Sequence, residues 1–171
     1  VNKNFFVDGI KASYLAKKFG TPLYCYSLNK LKNNIRNLKN NFKKIDPIIC
    51  FSVKSNSNIN LLSEIGKQGL GADVVSIGEL MKALKAGIKP KNIVFSGIGK
   101  TKVEIEYAIK KKILLINAES KNEILQIEKI AKRNKTKVDV GIRLNPNTDA
   151  KTLSQISTCL LYTSPSPRDF V

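Results

Sequence analysis

Histidine and tryptophan are absent from the 171 residues, and methionine occurs once. Without histidine the commonest protein ligand of transition metals is missing. The three cysteines, Cys25, Cys50 and Cys159, are an odd number with no close pair, so neither a metal site nor a disulfide framework is expected. No run approaches the roughly 20 apolar residues of a membrane span, and Val1 to Phe6 lack the charged, apolar and small-residue succession of a signal peptide. The expected location is therefore the cytoplasm, with no membrane partner. Acidic residues are also scarce: 13 Asp+Glu against 30 Lys+Arg give a net charge of +17. That charge would suit a nucleic acid. Base readout and phosphate forks favour arginine, however, and Arg36, Arg133, Arg143 and Arg168 are the only four arginines. The densest basic stretch, Lys30 to Lys44, surrounds an apolar helical seam and is not interleaved with base-stacking aromatics. Solvated helix faces account for the charge, and no nucleic-acid partner is expected.

The 42% apolar content is that of a chain with a true core. Leu28, Leu31, Ile35, Leu38, Phe42 and Ile45 recur at steps of three and four, which predicts a helix entered from Ser27 and ended by Asp46-Pro47. From there a strand-helix unit repeats. Apolar strands begin near Ile48, Gly71, Asn92, Ile113 and Lys137, at intervals of about 21 to 24 residues. Thr101-Lys102-Val103-Glu104 and Ser120-Lys121-Asn122-Glu123 match the capping box, and Gly87 with Pro90 closes the helix that starts near Ile77.

Strands alternating with helices at this period demand parallel pairing with right-handed crossovers, as in an open doubly wound sheet or a (β/α)8 barrel. The strand faces favour the barrel. Val138, Val140, Ile142 and Leu144 share one side of the last strand, while Asp139, Gly141, Arg143 and Asn145 share the other, a polar row suited to a barrel lumen. A complete barrel takes about 250 residues, so five strands amount to about five of eight, an incomplete (β/α)8 TIM barrel. The expectation is a truncated chain.

Lys54 closes the first of these strands. In Ile48-Ile49-Cys50-Phe51-Ser52-Val53-Lys54, alternation turns Ile49, Phe51 and Val53 toward helices and Cys50, Ser52 and Lys54 inward. An amine held there would lose hydration, which favours its neutral form and readies it to attack an aldehyde. By the same parity Asp73 and Arg143 project toward the same end of the interior, where barrel enzymes place their chemistry.

Six ordered segments carry a resemblance beyond spacing: Val7-Asp8-Gly9, Phe19-Gly20-Thr21-Pro22-Leu23-Tyr24, Ser52-Val53-Lys54-Ser55-Asn56, Gly71-Ala72-Asp73-Val74-Val75-Ser76, Gly78-Glu79-Leu80 and Arg143-Leu144-Asn145-Pro146. Together, from Phe5 to Thr158, they resemble the diaminopimelate decarboxylase family of alanine-racemase-like, fold-type III pyridoxal-phosphate enzymes. The resemblance implies pyridoxal 5'-phosphate as cofactor, Lys54 as the residue that holds it, Asp73 and Arg143 close to it, and Glu79, Ser52 and Asn56 as supporting residues. It also implies a cofactor that acts as electron sink for loss of carbon dioxide from meso-diaminopimelate, leaving lysine. Family enzymes are homodimers with a C-terminal β-domain, against which residues 1–26 are expected to lie, with 27–158 forming the partial barrel.

Two departures stand out. Leu153 occupies a position where many family members have histidine. After Thr158 the pattern breaks into Cys159-Leu160-Leu161-Tyr162-Thr163-Ser164-Pro165-Ser166-Pro167, and residues 159–171 are expected to be a non-native tail. On this reading the ring-stacking histidine, phosphate loop and substrate groups belong to a missing half, and the chain by itself is an inactive fragment. A decarboxylase of arginine, ornithine or carboxynorspermidine, and a non-catalytic pyridoxal-phosphate carrier, are the alternatives.

Overall fold

A computed structural model describes residues 5–144 of the chain. Asn145-Pro146, Leu153 and the expected tail at 159–171 lie outside the described residues. Two compact units meet in sequence between Pro47 and Ile48.

The first unit opens with a hairpin. Strands β1 (Phe6–Val7) and β2 (Ile10–Lys11) pair antiparallel across Asp8-Gly9, both with positive φ, 48° and 81°, as a tight two-residue hairpin turn requires. Helix α1 (Ala12–Phe19) follows, and then α2 (Leu28–Phe42), whose Ser27 cap accepts from the Lys30 amide at 3.0 Å. Asp8 holds the same corner: its carboxylate accepts from the Ser27 hydroxyl and from the Asn29 amide. The helix is shorter than its apolar period predicts. It stops at Phe42, and Asp46 takes a φ of 42°, so Ile45 falls in the exit turn. Ile35 is buried, whereas Leu28, Leu38 and Phe42 remain exposed.

The second unit is a five-stranded parallel sheet, β3 (Cys50–Ser52), β4 (Gly71–Val74), β5 (Ile93–Phe95), β6 (Leu115–Ala118) and β7 (Val140–Ile142), alternating with α3 (Ile59–Lys67), α4 (Ile77–Lys85), α5 (Lys102–Lys110) and α6 (Lys121–Arg133). Each strand pairs with its sequence neighbour, in the order β3-β4-β5-β6-β7. A doubly wound sheet reverses order at a switch point, whereas a barrel does not, so the sheet is a barrel segment.

Side-chain caps start every one of these helices. Asn58, Ser76, Thr101 and Ser120 each accept from a backbone amide of the first turn, removing orphan donors that would otherwise be left over. Thr101 and Glu104 form the full reciprocal capping box. Ser120 and Glu123 form half of it, because Glu123 takes the Glu119 amide instead. Gly87, at φ 88°, ends the turn after α4.

The sheet has two unlike faces. Ala72, Val74, Ile93, Phe95, Ile116 and Ala118 are fully buried, as are Leu62, Leu80, Ala83, Ile105 and Ala108 from the helices, giving one continuous core on the helix side. Each large side chain so buried contributes about 1.5–3 kcal/mol. The opposite parity, Cys50, Ser52, Gly71, Asp73, Ser96, Asn117 and Gly141, forms the other face. No helix among the described residues is long and apolar enough to cross a membrane.

Candidate functional site

Strand β3 is shorter than its alternation predicts. It ends at Ser52, and Val53–Ser55 form a single 3₁₀ turn, so Lys54 is presented by a turn beyond the strand and not by strand parity. The turn is well fastened. Val53 is fully buried, the Asn56 amide donates to the Val53 carbonyl at 3.1 Å, and Ser55 Oγ donates to the Ser52 carbonyl at 2.7 Å. Asn56 Oδ1 accepts from the Asn58 amide at 3.0 Å and leads the chain into α3, which makes Asn56 a local support of this turn. Lys54 itself is exposed, so the desolvation expected from the sequence is not supplied by the described residues.

Ser52 and Asp73 are register partners on β3 and β4 and stand side by side on the polar face. Ser52 Oγ is buried and has no hydrogen-bond partner among the described residues. Asp73 is tied sideways, since Ser96 Oγ donates to its Oδ1 at 2.5 Å and Asn117 Nδ2 donates to Ser96 Oγ at 3.0 Å. Burial, and after it the Asp73 carboxylate, push the Cys50 thiol above its ordinary value, so this cysteine stays protonated at neutral pH.

Arg143 does not pair with Asp73. It lies three strands away, immediately after β7, where its amide donates to the Ala118 carbonyl at 3.0 Å. Its guanidinium meets Glu119, Nη1 lying 3.2 Å from Oε2 and 3.3 Å from Oε1. Glu79 serves the backbone: its Oε2 accepts from the Val75 amide at 2.9 Å, at the start of α4. The sequence reading missed Glu119, Ser96 and Asn117. Alternation along β6 would have found two of them, because Asn117 and Glu119 share the parity of the polar face.

The donor set fits pyridoxal phosphate. An amine suited to an aldehyde stands on a fixed turn, an orphaned buried hydroxyl lies two residues before it, and the polar face carries both a carboxylate and, at Arg143, a cation able to meet an anionic ligand. The model of the pyridoxal binding domain of pyridoxal-dependent decarboxylases matches residues 28–161.

The chain belongs to that family.

Among individual relatives, the diaminopimelate decarboxylase of Helicobacter pylori is 49% identical over 146 residues, covering 85% of this chain and 36% of the relative. The crystal structure of the Helicobacter pylori enzyme complexed with L-lysine superposes with a TM-score of 0.84 at 47% identity, covering 88% of this chain and 38% of that one. The enzyme of M. jannaschii in co-complex with L-lysine gives a TM-score of 0.85 at 38% identity over 95% of this chain and 39% of the other. The chain thus spans little more than a third of the length of the relatives that it matches, and within that third the described residues carry five parallel strands of the barrel.

Proposed function

We propose that this chain is the N-terminal part of the barrel of a diaminopimelate decarboxylase, and that the gene product carrying it converts meso-2,6-diaminopimelate to L-lysine and carbon dioxide. The observation that carries the reading is the presentation of Lys54 on a fastened turn just beyond the Ser52–Asp73 pair, in a chain 49% identical to an enzyme of that name. Bound pyridoxal phosphate would supply the electron sink for loss of the α-carboxylate. The chain's own residues would do the rest of what this part of the barrel contributes. Lys54 would hold the cofactor through its amine, and Asp73, fixed by Ser96, would present a carboxylate of set orientation on the face that receives it. Arg143 would supply a cation at the C-terminal end of β7. Ser52 and Asn56 would shape the floor and the lysine turn, and Glu79 would keep the start of α4 in place.

Spanning about a third of its relatives, the chain by itself is expected to be inactive. A homodimeric assembly, a cytoplasmic location, no nucleic-acid partner, a β-domain for residues 1–26 to lie against and a non-native origin of residues 159–171 complete the proposal. The test is carbon dioxide release by the gene product carrying this sequence, supplied with pyridoxal phosphate and offered meso-diaminopimelate, ornithine and arginine in parallel, with lysine identified as the product from meso-diaminopimelate. Turnover of meso-diaminopimelate above the other two is the expected result, and preference for ornithine or arginine would overturn the substrate assignment.

A further inference from the structure

Glu119 and Lys100 are the two charged residues buried among the described residues, at 5% and 8% exposure. Burying a carboxylate is costly unless its partners compensate, and an apolar residue of similar volume often serves stability as well or better. A buried acid at this position therefore needs a reason beyond folding.

The surroundings of Glu119 are unusually fixed. Its amide donates to Glu123 Oε2 at 2.7 Å, while Glu123 Oε1 meets Lys100 Nζ at 3.0 Å. Lys100 Nζ also donates to the carbonyls of Gly97 and Asn117, both at 2.7 Å. The loop after β5 and the end of β6 are thus bound to the first turn of α6, and the Gly97 amide returns to Glu119 Oε1 at 3.1 Å. Glu119 is thus held at its backbone amide and at Oε1. Arg143 Nη1 donates to the same Oε1 at 3.3 Å and lies 3.2 Å from Oε2, which is buried and has no hydrogen-bond partner among the described residues. Arg143 by contrast has a side chain 40% exposed.

We propose that Glu119 is a positioning residue, which holds the Arg143 guanidinium in one orientation at the C-terminal end of the polar face for an anionic cofactor. The inference rests on the pyridoxal-phosphate reading of the face. Its sign sets it apart from simple electrostatics. If Glu119 acted only through its charge, neutralising it would remove repulsion and tighten the binding of an anion. If it acts by holding Arg143, neutralising it weakens binding.

The experiment is equilibrium titration of the cofactor-free gene product carrying this sequence with pyridoxal phosphate, with thermal unfolding of the cofactor-free protein alongside. Glu119→Gln keeps the shape and an acceptor for Gly97. It is expected to weaken cofactor affinity about tenfold, and to have little further effect once Arg143→Gln is already present. Unchanged or tighter binding, or additive effects of the two substitutions, would overturn the inference. Should Glu119→Gln fail to fold, Arg143→Lys keeps the cation, leaves the buried acid alone and removes the fork that Glu119 orients. The same loss is expected there, and unaltered affinity would again overturn it. Wild-type protein that does not bind pyridoxal phosphate would instead overturn the functional reading itself.

Discussion

Ser96 Oγ donates to Asp73 Oδ1 at 2.5 Å while accepting from Asn117 Nδ2 at 3.0 Å, so one hydroxyl on β5's extension couples β4 to β6 across the polar face. Ser96→Ala leaves a part-buried carboxylate and a part-buried amide each short of a partner. The expected cost is about 1–3 kcal/mol in urea unfolding, together with weaker cofactor binding. An unchanged unfolding midpoint would show that Asp73 finds another donor.

Lys54→Ala is expected to abolish the visible absorbance of bound pyridoxal phosphate. Because Lys54 is exposed, cofactor-free stability should move by no more than about 0.5 kcal/mol. A variant that keeps the absorbance band would remove Lys54 from the site.

Two glycine substitutions should act in opposite directions. A Cβ at Gly71 would lie 2.1 Å from the Asn92 carbonyl oxygen, a backbone atom that cannot step aside, and Gly71→Ala should cost at least about 1–3 kcal/mol. Gly78 sits in α4 with nothing nearer than Ser76 Oγ at 3.9 Å, so Gly78→Ala should stabilise by about 0.5 kcal/mol through helix propensity and unfolded-state entropy. Denaturant midpoints of the pair decide it, and equal signs would contradict the packing described.

Glu104 links stability to acid. The Thr101 amide above all, with the Ile77 amide and Thr101 hydroxyl in support and partial burial opposing, holds its carboxyl below the ordinary glutamate range. A carboxyl depressed in the folded state binds its proton less readily there than in the unfolded chain. Its contribution is therefore complete above the ordinary value and declines as pH falls through the depressed one. The stability gap between wild type and Glu104→Gln should narrow over that window and be constant above it. A gap that persists in acid would assign the effect to shape and not to charge.

Much of this architecture was legible because its signals are local. The strand-helix period gave five parallel strands in sequential order, and Ser27, Thr101 and Ser120 announced their helices through side chains that cap only at a helix start. What escaped depended on contacts distant in sequence. Glu123 completes no capping box because Lys100, 23 residues earlier, and the Glu119 amide compete for its oxygens. Arg143 was expected near Asp73 from shared parity, but parity fixes a face and not a neighbour, and Glu119 is the acid that the β6–β7 register brings beside it. Lys54 was placed on a strand that a 3₁₀ turn cuts short, since nothing in Val53-Lys54-Ser55 distinguishes a last strand residue from a first turn residue.

Gly141 sits opposite Asn117, and a Cβ there would lie 2.2 Å from Asn117 Oδ1. A slip of β7 by two residues would preserve the ladder and the facing of every side chain, so the apolar pattern alone cannot forbid it. Such a slip would set Asp139 or Arg143 against the Asn117 amide, where only a hydrogen atom fits. The missing side chain at Gly141 thus selects one alignment from several that hydrophobicity would accept, and through it decides which residue arrives next to Glu119 just beyond β7.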